Sequence, residues 1–182
     1  MVGPYQSALS RLGCSDLRTF PAAMRLPGSI LQGILARAAL TFLRIYLGMV
    51  FLVSAWPKVQ QDFTPSLLLF LERAGQTAHP FYLDFMSRVL VPNAGVIAVL
   101  VAWGELLVGT TLLLGLMTRL SATVALLLSL NSMLAQGAWL WTPTSHNAAF
   151  ACIALALIIG AAGRTFGVDA FLARRWPRSP FW

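Results

Sequence analysis

Four stretches of the chain stay apolar for about the length of a bilayer crossing: roughly Ala39–Trp56, Ala94–Leu116, Leu120–Leu140 and Asn147–Ala162. A hydrocarbon core about 30 Å thick needs about 20 predominantly apolar residues at about 1.5 Å each. Lipid offers no partner to a backbone amide, so each crossing must satisfy its amides internally. Nothing resembles the short alternating strands of a barrel, which leaves helices. The pattern predicts an all-α integral membrane protein, a four-helix bundle with short interfacial helices in the first outer loop and at the termini. Its bundle domain is expected over 38–164, with crossings at 39–56, 94–116, 120–140 and 147–162, an N-terminal extension over 1–37 and a C-terminal tail over 165–182.

The outer loop, 57–93, has its own periodicity. Thr64-Pro65 followed by SLLLFLERAG sets a capping residue, a proline at the first helical position and a glycine after the last turn. These specify a helix of about ten residues, too short to span. From His79-Pro80 onward, Phe81, Tyr82, Phe85, Met86, Val89 and Leu90 share one face and Asp84, Ser87 and Arg88 the other, until Pro92 stops the helix. Two short helices capping the outer end of the bundle follow, either as a plain lid or as contributors to a site. Upstream, Ser29 caps a segment with Ile30, Leu31, Ile34, Leu35 and Ala38 on one face. That predicts an interfacial helix before the chain turns into the bilayer. The first twenty or so residues read as flexible unless a partner orders them, and 1–37 lacks the ordered parts of a signal peptide.

Composition agrees. Of 182 residues 58% are hydrophobic and only 10% charged, and the mean hydropathy is +0.74, too apolar for a water-covered globular domain. Thirteen Lys and Arg against six Asp and Glu give +7, distributed unevenly. Arg11, Arg18, Arg25, Arg37, Arg119, Arg164, Arg174, Arg175 and Arg178 flank one side of the four crossings. Lys58, Arg73 and Arg88, offset by Asp62, Glu72 and Asp84, lie on the other. The positive-inside rule then places both termini in the cytoplasm. Basic residues dispersed at helix ends suit anionic headgroups and exclude a nucleic-acid partner. Cys14 and Cys152 fall in different environments and do not bridge, and no metal-binding or haem-attachment spacing is present.

Polar residues inside the crossings are few. Glu105 sits in VAWGELLVGTTLLLGL with Ala98, Ala102 and Gly109 on its face, so it should point at a neighbouring helix rather than at lipid. Arg44 shares a face with Thr41 and Gly48. The third crossing carries Asn131 and a stripe of Ser129, Ser132 and Gln136 leading towards Trp139, and His146 and Asn147 open the fourth near Trp141. An ion in lipid costs about 2.5–3.5 kcal/mol on insertion scales, so Glu105 and Arg44 must be paired, protonated or solvated. One reading is a buried Arg44–Glu105 pair, completed by Asn131, that only fixes helix register. The other, favoured modestly because a buried pair gains little over apolar packing, is a Glu105 within reach of Arg44 or Asn131, held near neutrality, that exchanges a proton with a bound redox ligand.

LTFLRIYLGMVFLVSAWPK, GELLVGTTLLLGLMTRLSA and GAAGRTFGVDAFLARR, in this order, resemble the DoxX/DoxD family of small four-helix membrane proteins, over roughly residues 38–175. Family members are associated with sulfur and thiol redox chemistry at bacterial or archaeal inner membranes, including the small subunit of thiosulfate:quinone oxidoreductase. The resemblance implies a quinone-linked redox subunit with no covalently bound cofactor. Glu105 and Arg44 would be its catalytic pair with Asn131, or Gln136, Trp141 and His146 would hold the quinone nearer the surface. The alternative is a non-catalytic accessory subunit packed against other membrane subunits. Transport is disfavoured, because neither an inverted repeat nor a broken helix is visible. The closing GRTFGVDAFL reads as architecture: Gly163 and Gly167 end the last crossing, Arg164 reaches carbonyls or phosphates, and Asp169 caps the tail helix or pairs with an arginine.

Overall fold

The computed structural model describes residues 26–142, 145–160 and 167–175, with side chains at 32–142, 145–160, 167–171 and 175. The expectations for 1–25, for Gly163 and Arg164, and for Cys14 lie outside the described residues. The chain divides at Ala36/Arg37 into two compact units, and the helical bundle with its outer loop belongs to the second.

Among the described residues the protein is entirely helical. Helix α1 is Leu26–Gln60, α2 Thr64–Ala74, α3 Pro80–Phe85, α4 Ala94–Leu114, α5 Thr118–Ala135, α6 His146–Gly160 and α7 Val168–Arg175. A π-helical turn, Met86–Leu90, continues α3 and closes with Val91 N–H donating to Met86 O at 3.0 Å. The membrane-spanning segments of α1, α4 and α5 are Gln32–Gln60, Ala94–Leu114 and Thr118–Ala135, and α6 is shorter and equally apolar. The four bundle helices share one core: Leu47 and Phe51 from α1, Val108 and Leu112 from α4, Ala122 and Ala125 from α5, Ala154 and Leu157 from α6. Leu67, Leu71, Tyr82, Met86 and Leu90 of the outer loop form a second core with Ala98 and Ala135. The two short helices of 57–93 thus exist as expected and cover one end of the bundle.

Three helices differ in their bounds from the sequence reading, each for a local reason. Helix α1 runs unbroken from Leu26, so no separate interfacial helix precedes a turn, and it continues past Pro57 to Gln60. Proline lacks an N–H and forfeits one helical bond, but the helix resumes beyond it. Helix α4 stops at Leu114 and α5 at Ala135 because Gly115 and Gly137 adopt left-handed φ of 65° and 64°. Leu116 N–H then donates to Thr111 O at 2.9 Å, and Ala138 N–H to Met133 O at 3.0 Å, the wrap-back that ends a helix at glycine.

The tail helix is fastened to the bundle through Asp169. Asp169 is wholly buried and caps α5 rather than its own helix, accepting from Met117 N–H at 2.7 Å and Thr118 N–H at 2.8 Å. Its own N–H donates to Gly115 O at 2.8 Å. A carboxylate over the first amides of a helix satisfies orphan donors and the helix dipole together.

Candidate functional site

Glu105 occupies the face of α4 that the small residues mark. Ala98 and Ala102 are buried. A Cβ added to Gly109 would lie 2.8 Å from Leu52 N and 3.0 Å from Gly48 O, so α1 and α4 pack almost backbone to backbone, as small residues permit. That approach brings the later turns of α1, with Ser54 and Lys58, onto Glu105. Lys58 Nζ donates to Glu105 Oε1 at 2.7 Å, to Oε2 at 2.6 Å and to Ser54 Oγ at 3.1 Å, while Ser54 Oγ donates to Glu105 Oε2 at 3.0 Å. All three ammonium protons are used, with the Lys58 and Glu105 side chains only 20% and 12% exposed. The ammonium also stands 5.0 Å from the Phe63 ring centroid, within cation–π range.

Two cavities meet at Glu105. The larger, about 140 Å³, is walled by Leu67, Leu71, Leu90 and Ile97 and receives Lys58, Glu105, Asn131 and Ser132. Its roof is the outer loop. Tyr82 OH donates to Asn131 Oδ1 at 2.6 Å, and burial, partly offset by that bond, pushes the Tyr82 phenol above its ordinary range. The phenol therefore stays a donor, and the lid is tied directly to the last turns of α5. Occupying Asn131 Oδ1 aims the amide NH₂ elsewhere, and among the described residues neither that group nor the Ser132 hydroxyl has another hydrogen-bond partner. The smaller cavity, about 70 Å³, lies between Ser54, Ser129, Asn147 and Phe150, and shares Glu105 and Ser132 with the larger. The result is an apolar-walled chamber with an ion pair, an amide and a hydroxyl on its polar side, the composition of a site for a flat or amphiphilic small molecule.

The expected residues separate into three groups. Glu105 and Asn131 share the chamber. Arg44 does not pair with Glu105, because Lys58 does. Arg44 is buried beside Gly115 and Gly167, where an added Cβ would come within 2.6 and 2.8 Å of its Nη1, and it interacts electrostatically with Asp169. Gly115 is ten residues beyond Glu105, about 15 Å along α4. Gln136, Trp141 and His146 are exposed and line neither cavity. Trp141 stacks on Trp139 with centroids 5.6 Å apart, and Trp139 tilts against His79 at 4.5 Å, an outer aromatic cluster separate from the chamber.

The sequence profile of the DoxX family matches residues 39–138, more than half of the chain. The chain belongs to the DoxX family. The matched stretch takes in Arg44, Ser54, Lys58, the lid, Glu105 and Asn131, and leaves out Trp141, His146 and Asp169. No curated protein and no solved structure matches this DoxX chain.

In this DoxX protein the residue that sequence reasoning missed is Lys58. Reading Pro57 as a helix end left Lys58 as a flanking charge. Its signal was its spacing from Ser54, four residues earlier and thus on the same helical face.

Proposed function

We propose that this DoxX membrane protein is a quinone-linked subunit of a sulfur or thiol oxidoreductase, holding a quinone in the chamber above the Lys58–Glu105 pair. The observation that carries the reading is the chamber itself: apolar walls for a ring, with hydrogen-bond donors and an ionisable pair on one side of it. The residues fit the group. Leu67, Leu71 and Ile97 offer the ring apolar contact, and Asn131 Nδ2 and Ser132 Oγ are donors suited to carbonyl oxygens. A bound quinone supplies two-electron, two-proton chemistry. Glu105 is the group that holds a proton exchanged with the ligand, at whichever carboxylate oxygen Lys58 releases. Lys58 fixes the carboxylate between exchanges, and the lid excludes water. Electrons come from a small reductant or from a partner subunit in the same membrane. The basic flanks support a bacterial or archaeal inner-membrane setting with both termini cytoplasmic and the lid outside.

Titrating decylubiquinone into the protein in lipid nanodiscs, followed by tryptophan quenching, tests the reading. Saturable binding at one ligand per chain is expected, weakened about tenfold in Asn131→Leu, which removes a hydrogen bond worth about 1 kcal/mol or more. Non-saturable partitioning alone, or an Asn131→Leu variant that binds as the parent does, would remove the quinone from this chamber.

A further inference from the structure

The chamber is closed from above. Leu67, Leu71, Tyr82 and Leu90 of the lid are buried, and Tyr82 is tied to Asn131. Sideways it is different. Two clefts of about 140 and 240 Å³ lie at the corner where α1 passes into α2, and Lys58 and Phe63 line both of them as well as the chamber. Lys58 and Phe63 stand between the chamber and both clefts. The outer cleft runs down α4 past Val99 and Trp103, which are largely exposed on a membrane-spanning helix, so its lower part faces lipid. Its rim carries Gln61, Asp62 and Thr64, polar groups suited to the headgroup region.

From this geometry we infer that the chamber is loaded laterally from the outer membrane interface, through a gate formed by Lys58 and Phe63, by an amphiphile with a flat polar head and an apolar tail. The inference rests on reading the chamber as a ligand site and adds its route and the shape of molecule the route admits. Opening turns Lys58 out of its bonds to Glu105 and Ser54 and swings the Phe63 ring. The Lys58 stem is flexible, and Phe63 sits in the short link between α1 and α2, where swinging the ring breaks no hydrogen bond. The cation–π contact closes the gate, and Lys58 couples it to Glu105, so the side chain that admits the ligand is also the one that holds the carboxylate. The cleft that runs down α4 suits an apolar tail, since its lower walls are Ala98, Val99, Ala102 and Trp103.

The gate is testable without knowing the ligand. In a Cys14→Ser, Cys152→Ala background, Val101→Cys places a thiol on the chamber wall. Its labelling in proteoliposomes by membrane-permeant N-ethylmaleimide is compared with labelling by a charged methanethiosulfonate. The gate predicts labelling by the permeant reagent, accelerated about tenfold by Phe63→Ala and slowed by Phe63→Trp, with the charged reagent slow throughout. Rates indifferent to Phe63 but raised by Tyr82→Phe would place the opening in the lid and overturn the proposal, as would rapid labelling by the charged reagent. The opposite signs expected for Phe63→Ala and Phe63→Trp distinguish gating from a general loosening of the fold. Decylubiquinone added before the label tests the functional reading separately. Gate-dependent labelling that decylubiquinone fails to slow leaves the lateral route standing and removes the quinone.

Discussion

At the scale of single residues, the pairing of Glu105 with Lys58 makes an asymmetric prediction. Glu105→Gln leaves an ammonium on a long flexible stem near the outer end of α1, able to turn towards the interface. Lys58→Met leaves a carboxylate on a short stem against the bundle. Removing one partner of a buried pair costs about 3–5 kcal/mol when the other charge is trapped. Lys58→Met should approach that cost and Glu105→Gln should fall well below it, measured as thermal unfolding in mild detergent. Equal losses would mean that Lys58 has no escape. Glu105 was legible from sequence as an inward-facing ion because a lone carboxylate in an apolar crossing is tolerated only where it turns from lipid, and alanine and glycine mark that face. Its partner was not, because Arg44 and Lys58 were both plausible cations. Deciding between them requires the antiparallel register of α1 on α4, which Gly48 and Gly109 set. Tyr82→Phe cuts the bond that ties the lid to α5 and should cost about 0.5–1.5 kcal/mol, seen as faster hydrogen exchange in the lid. Because burial raises the Tyr82 pKa above its unfolded value, the phenol's contribution is fully present below the unfolded pKa. It is lost only as pH climbs from there through the folded one.

At the scale of helices, hydrophobic length and proline placement carried most of the information, whereas the residue before α2 is Phe63, with no side-chain cap, rather than the expected Thr64. The crossings and both lid helices were readable because apolar run length, proline at a helix start and period 3.6 all act locally. The ends at Gly115 and Gly137 were overrun because apolar residues continue past each glycine, and hydropathy registers solvent preference rather than a left-handed backbone. The α1–α4 contact supplies the sharpest element-scale test. Gly109→Leu must push α1 away from Leu52 and Gly48 and should destabilise the bundle by about 1–3 kcal/mol or more. Gly104→Ala, with nothing within 4 Å of the added carbon, should be neutral or slightly stabilising. Two variants melting alike would contradict the packing. Asp169 is the opposite lesson: a cap for a helix some fifty residues earlier leaves no local signature. Asp169→Asn should cost about 0.5–2 kcal/mol as a lost cap, with more from the buried Arg44 beside it. Thermal unfolding of that variant alongside Asp169→Ala checks this, and a wild-type melt for both would deny the cap any role.

At the scale of the whole molecule, the bundle keeps a chemical chamber at one end and a structural knot at the other, each with its own buried cation and carboxylate. Arg44 and Asp169 join the tail to the α4–α5 turn, and Lys58 and Glu105 serve the chamber. The proposed orientation rests on the basic flanks. An impermeant thiol reagent on intact cells should reach Gln76→Cys and not Arg178→Cys, and the reverse pattern would invert the topology. The central claim is that the Lys58–Glu105 pair exists for a ligand and not for the fold. Replacing both residues with apolar ones of similar size, Lys58→Met with Glu105→Leu, decides it in one variant, because an ion pair exchanged for apolar packing is often neutral or stabilising. Decylubiquinone binding and thermal unfolding should be measured on that double variant in nanodiscs. The account predicts a melting temperature at or above the parent's with ligand binding lost. A double variant that fails to fold, or that folds and binds as the parent does, would contradict it.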